Sequence, residues 1–180
     1  MKEIIKIMVL VIVSSLLMVG CRPLQDGTEL LQECKYEEAI ESFDTTIEKW
    51  GENDKKKLQV AEAYRGKGIA YWEMGNYEKA KEAFQTALAK GTEKTGTIYN
   101  FIGICEMKAG NFTEALNQFN QGLACEGNQP ELIQEMEFNQ VSAYEELRDW
   151  PNAKAKIAEY ITKYPDDADG AKEAQFLETR

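Results

Sequence analysis

Two stretches decide the fold: residues 64–89, YRGKGIAYWEMGNYEKAKEAFQTALA, and residues 99–124, YNFIGICEMKAGNFTEALNQFNQGLA. They superpose without a gap when the chain is slid from 64 to 99, an offset of 35 positions. Tyr64, Gly68, Ile69, Gly75, Asn76, Ala80, Phe84, Leu88 and Ala89 then fall on Tyr99, Gly103, Ile104, Gly110, Asn111, Ala115, Phe119, Leu123 and Ala124, with Tyr77 on Phe112. Within each copy, small and bulky apolar residues recur three and four apart, the spacing of one helix face. Gly75-Asn76 and Gly110-Asn111 interrupt that spacing midway, so each copy is predicted to be two helices joined by a tight turn.

The spacing Gly68, Tyr71, Gly75, Tyr77, Ala80, Phe84, Ala87 resembles the tetratricopeptide repeat, whose pattern is an aromatic, Leu-Gly, Tyr, then Ala and Phe. Gly and Ala let paired helices approach closely, and the aromatics fill the space between neighbouring pairs. Weaker copies flank the two. Upstream, Gly27, Leu30, Tyr36, Ala39 and Phe43 fit; downstream, Tyr144, Trp150, Ala153, Ile157 and Pro165 fit, with Val141 and Arg148 where glycines are expected. The resemblance implies an all-α fold, a right-handed α-solenoid of about four helix pairs. The repeats run at about 24–54, 59–93, 96–128 and 131–164. A last helix over 167–179, capped by Asp166 or Asp167, would cover the end of the array with a polar outer face.

The beginning of the chain reads as an address. Lys2 and Lys6 flank Glu3, and the run from Ile7 to Val19 is apolar except for Ser14 and Ser15. That run is shorter than the ~20 residues of a spanning helix and has the layout of a secretory signal peptide. Its end, Leu17-Met18-Val19-Gly20-Cys21, resembles the bacterial lipobox, with Met18 where that family prefers Leu. The resemblance implies a signal peptide over 1–20, a repeat domain over 21–180, and a lipid carried by Cys21 as the mature N-terminus. Two or more acyl chains would hold the protein stably to a bacterial membrane, on its extracytoplasmic side.

Composition narrows the function. The formal charge of −10 argues against nucleic acid, which requires clustered Lys and Arg. The absence of His removes the usual general base and the commonest metal ligand. No nucleophile–base pair, phosphate loop or metal spacing is present, and no catalytic residue, metal or cofactor is expected. Cys105 and Cys125 fall roughly 9 Å apart along antiparallel helices at 1.5 Å per residue, too far for a disulfide. They are expected as small apolar residues of the core.

In tetratricopeptide arrays the first helix of each pair lines a groove where peptides dock. Carried onto this chain, that face comprises Arg65, Ile69, Trp72 and Glu73 in the second repeat. The third repeat supplies Asn100, Ile104, Met107 and Lys108, and the fourth Phe138, Ser142 and Glu145. Trp72 and Met107 are either binding anchors or packing between repeats. The family's terminal-carboxylate clamp is not reproduced, since its slots hold Arg65, Ile69, Asn100 and Ile104. Glu106 occupies the slot of Tyr71 and Tyr144, where a buried carboxylate is costly unless paired. It is expected to bend outward at a partly open edge; the other reading is a ligand contact.

The expected function is a membrane-anchored scaffold that binds an unidentified partner polypeptide. The alternatives are a self-assembling structural lipoprotein and a small-molecule or glycan-binding one.

Overall fold

The computed structural model describes residues 22–180, which hold nine α-helices and no strand. The expected signal segment and Cys21, the expected site of lipid attachment, lie outside the described residues. None of the described helices is long and apolar enough to cross a membrane. The chain divides into two compact units, one ending at Lys94 and one beginning at Thr95.

The first unit contains α1 (Arg22–Gln32), α2 (Tyr36–Trp50), α3 (Lys57–Glu73) and α4 (Tyr77–Lys90). The second contains α5 (Gly96–Lys108), α6 (Phe112–Leu123), α7 (Pro130–Glu146), α8 (Trp150–Lys163) and α9 (Ala168–Glu178). The first eight helices form four hairpins, and every hairpin turns in the same way. The residue with positive φ is Gly75 (φ 74°) or Gly110 (φ 77°) in the middle pairs, and Cys34 (φ 58°) or Arg148 (φ 56°) in the outer ones. At each turn the amide after that residue returns to a carbonyl in the last turn of the helix. The bonds are Lys35 N to Leu30 O (2.9 Å), Asn76 N to Tyr71 O (2.8 Å), Asn111 N to Glu106 O (2.9 Å) and Asp149 N to Tyr144 O (2.9 Å). These bonds satisfy carbonyls that a helix end would otherwise leave bare.

Close packing within the pairs follows from one recurrent contact. The ring of Phe84 lies where a Cβ on Gly68 would come within 2.6 Å of it, and Phe119 stands over Gly103 at 2.5 Å. Phe43 fills the same place between Gly27 of α1 and Gly66 of α3. All three rings are fully buried. The fourth pair uses Val141 and Ile157 instead, within a core shared by Ala153, Tyr160 and Leu177.

Helix α9 caps that core. Asp167, at its N-cap, accepts hydrogen bonds from Asp169 N (3.0 Å) and Gly170 N (3.3 Å). Its other oxygen accepts from Tyr160 Oη and from Gln134 Nε2 (3.1 Å), tying the cap to α8 and α7. Those bonds, led by the Tyr160 hydroxyl, hold the Asp167 carboxyl below the ordinary carboxylate range. The outer face of α9 is not wholly polar: Phe176 is 42% exposed, with the Arg180 guanidinium 4.4 Å from its ring centroid.

Glu106 departs from expectation. It does not bend outward: it is 4% exposed, and Asn111 Nδ2 donates to its Oε2 at 2.8 Å. The physical reason lies in the turn. Asn76, the equivalent of Asn111, caps α4 by accepting from Lys79 N, whereas the Asn111 side chain makes no cap bond to α6. Its amide is turned back onto the carboxylate that replaces Tyr71. Cys105 is buried as expected, Cys125 is half-buried with its Sγ toward Gln121 O (3.4 Å), and Cys34 is exposed.

Candidate binding face

Each expected binding residue lies on the first helix of a pair. On α3, Arg65, Ile69, Trp72 and Glu73 follow helical spacing and form one stripe. Ile69 is fully buried and Trp72 is 8% exposed, its ring edge-on to Tyr77 with centroids 5.1 Å apart. Arg65 Nη2 pairs with Glu62 Oε2 at 2.5 Å, and Thr92 Oγ1 donates to the other oxygen of the same carboxylate. Glu73 Oε2 accepts from Tyr36 Oη at 3.4 Å.

In the second unit the stripe of α5 runs through Asn100, Ile104, Met107 and Lys108, grading from buried Asn100 to exposed Lys108. On α7, Phe138, Ser142 and Glu145 are all half-buried. Phe138 stacks against Tyr160 at 5.3 Å, and Ser142 Oγ donates to Phe138 O (3.5 Å), one turn back along its own helix.

The structure joins the two stripes through a residue that the spacing did not indicate. Asn100 Nδ2 donates to Glu135 Oε1 at 3.1 Å. Glu135 lies 35 positions after Asn100, the repeat interval, but the fourth pair matches the others only after a further three residues. The sequence register therefore pointed to Phe138. Asn139, four residues after Glu135, was missed for the same reason. Burial is the chief influence on the Glu135 carboxyl and raises its pKa, against the lowering effect of the Asn100 hydrogen bond.

Glu145 meets a second carboxylate. Burial first, then a hydrogen bond to Glu173 of α9 and repulsion from Glu173 and Glu146, push its pKa up to about 7. No group of His, Cys, Asp and Glu among the described residues is arranged to hold a metal ion.

Comparisons with known proteins agree with this architecture. Three sequence profiles, each described as tetratricopeptide repeat, match residues 29–91, 65–131 and 136–167. The chain belongs to the tetratricopeptide repeat family. Among curated proteins it is 22% identical over 149 residues to the peptidyl-prolyl cis-trans isomerase FKBP4 of Homo sapiens, matching 75% of this chain and 32% of that protein. The chain thus spans about a third of the length of that relative. Among solved structures, YrrB, described as a TPR protein with an unusual peptide-binding site, superposes with a TM-score of 0.70 at 22% identity. That match covers 85% of this chain and 73% of YrrB. A tetratricopeptide repeat protein from Parabacteroides merdae superposes with a TM-score of 0.71 at 17% identity, over 87% of this chain and 58% of the other. The fold is the all-α tetratricopeptide solenoid.

Proposed function

We propose that this chain is a non-catalytic protein-interaction scaffold, anchored by a lipid on Cys21 to the extracytoplasmic side of a bacterial membrane. Its partner is a polypeptide held against the first helices of its repeats. The observation that carries the binding role is the face of α5 and α7, where polar side chains of two neighbouring repeats converge between apolar ones, as at Asn100 and Glu135. Peptide binding is the described property of YrrB, whose fold this chain shares. The anchor is supported by the residues around Cys21, where a small residue and a Cys close a short apolar run.

The binding role is tested by photocrosslinking in intact cells from a probe at Met107, with exposed Gln121 on α6 as control. One dominant polypeptide captured at position 107 and absent at position 121 supports it. Adducts of the chain with itself alone would replace it with self-assembly. The anchor is tested by metabolic labelling with an alkynyl fatty acid, which should mark the native chain and not Cys21→Ala. Equal labelling of both would remove the lipid from this reading.

A further inference from the structure

Which peptide chemistry the second unit selects can be read from atoms that its own fold leaves unused; the inference rests on the polypeptide-binding role proposed above. Asn100 Oδ1 on α5, and Glu135 Oε2 and Asn139 Nδ2 on α7, are buried without a hydrogen-bond partner. Asn100 is only 2% exposed. Its Nδ2 is engaged with Glu135 Oε1 at 3.1 Å, which orients the amide and leaves Oδ1 as the spare acceptor. The same contact leaves Oε2 as the spare oxygen of the carboxylate. Asn139 is one helical turn beyond Glu135, on the same face of α7.

Buried polar atoms without partners are rare in folded proteins, because each has surrendered water and received nothing. Four occur on these two adjacent helices; Glu145 Oε1 lies further along α7, and the other three form a set: two acceptors, one of them charged, beside one donor. The partner of Glu135 within the fold is a neutral amide, which does not balance its charge. Glu135 and Asn139 are half-buried, so their exposed sides mark the approach.

We propose that this cluster receives an arginine side chain from an extended segment of the partner. Its guanidinium is shared between Glu135 Oε2 and Asn100 Oδ1, and Asn139 Nδ2 donates to a carbonyl of the same segment. A guanidinium presents several N–H donors in one plane and serves two neighbouring acceptors at once; a lysine ammonium is more strongly hydrated and lacks that fork. The net charge of −10 draws a basic segment toward the chain from a distance.

The test is a titration of 15N-labelled protein with three capped pentapeptides, alike except for a central arginine, lysine or citrulline. Citrulline keeps the shape of arginine and removes its charge. Loss of one charge-assisted pair corresponds to about tenfold or more in affinity. The arginine peptide is therefore expected to shift the side-chain amide signals of Asn100 and Asn139 at about a tenth of the concentration that citrulline requires, with lysine between. In Glu135→Gln, which keeps size and neutralises charge, the preference for arginine should vanish. In Asn139→Ala all three peptides should weaken alike. Equal binding of the arginine and citrulline peptides would overturn the arginine site and leave the binding role intact. Shifts from none of them would also overturn it, while the crosslinking from position 107 decides separately whether a polypeptide binds at all.

Discussion

The third and fourth helix pairs solve one packing problem in opposite ways. In the third, the first helix contributes nothing at Gly103 and the second contributes a whole ring, Phe119, sixteen positions later (103 to 119). In the fourth, Val141 and Ile157 stand at the same interval (141 to 157), the bulk shared between the helices. Both solutions are buried: Phe119 is 0% exposed, Val141 0% and Ile157 3%. What the repeat demands is a filled volume between two helices, and a glycine–phenylalanine pair is one division of that volume. Interiors packed at crystal density accept such exchanges only when both partners change together.

The largest expected effect breaks one side of the division. Gly103→Val places methyl groups into the Phe119 ring, which has no room to retreat, and should cost about 3 kcal/mol. Phe119→Ile alone leaves a cavity and should cost about 2 kcal/mol. Combined, the two rebuild the Val–Ile arrangement, so the double variant should regain at least half of the summed loss. Urea unfolding of the four proteins measures this. Strictly additive costs would mean that the two positions do not share one volume.

A second contrast, between the turns of the second and third pairs, has a smaller expected effect. Asn76 caps α4, while Asn111 serves buried Glu106. Asn76→Ala should therefore cost about 1 kcal/mol, the ordinary value of a cap. Asn111→Ala takes a hydrogen bond from a buried carboxylate and should cost about 2 kcal/mol. Equal losses would show that the Asn111–Glu106 bond contributes no more than a cap.

These contrasts also mark what was legible in the sequence. The helix pairs and their turns were, because Gly75, Gly110 and the aromatics recur at one interval and backbone geometry admits few residues there. The substitution of Val141 for glycine was visible, but its compensation at Ile157 was not, since it depends on two distant side chains sharing a space. The burial of Glu106 was not legible, because its slot implies an aromatic and its partner Asn111 stands at a turn position of the repeat. At the candidate site, the stripes were expected from the resemblance to the tetratricopeptide repeat, carried onto the first helix of each pair. Glu135 did not, because the fourth pair is offset by three residues and the bond from Asn100 crosses between helices.

Glu145 sharpens the contrast at the end of the fourth pair, where α9 adds Glu173 to the surroundings. With its pKa raised to about 7, Glu145 in the folded chain keeps a proton that the unfolded chain loses near the ordinary value of ~4.3. Stability therefore falls as pH rises from about 4.5 to 7, and the full penalty stands above that range. Glu145→Gln stays neutral and can still donate to Glu173. Partial exposure of the group reduces the effect, so Tm should rise by about 2 °C near pH 8 and hardly at all near pH 4.5. A gain of the same size at both pH values would assign the effect to packing and not to the proton.

The smallest effect returns to the turns. All four hairpins need one residue with positive φ, yet only the middle pairs place glycine there; Cys34 and Arg148 hold φ of 58° and 56° with a Cβ in place. For an L residue that conformation costs roughly 1–2 kcal/mol. Glycine removes the strain but returns ~0.4–1 kcal/mol of freedom to the unfolded chain. Cys34→Gly and Arg148→Gly should each stabilise by about 0.5 kcal/mol, the small remainder of those two terms. The reverse exchange, Gly110→Arg, should destabilise by a similar amount, because nothing lies within 4 Å of a Cβ at that position and only the backbone resists it. Thermal unfolding of the three variants checks both signs. If Cys34→Gly lost stability instead, contacts of the Cys34 side chain would outweigh the strain.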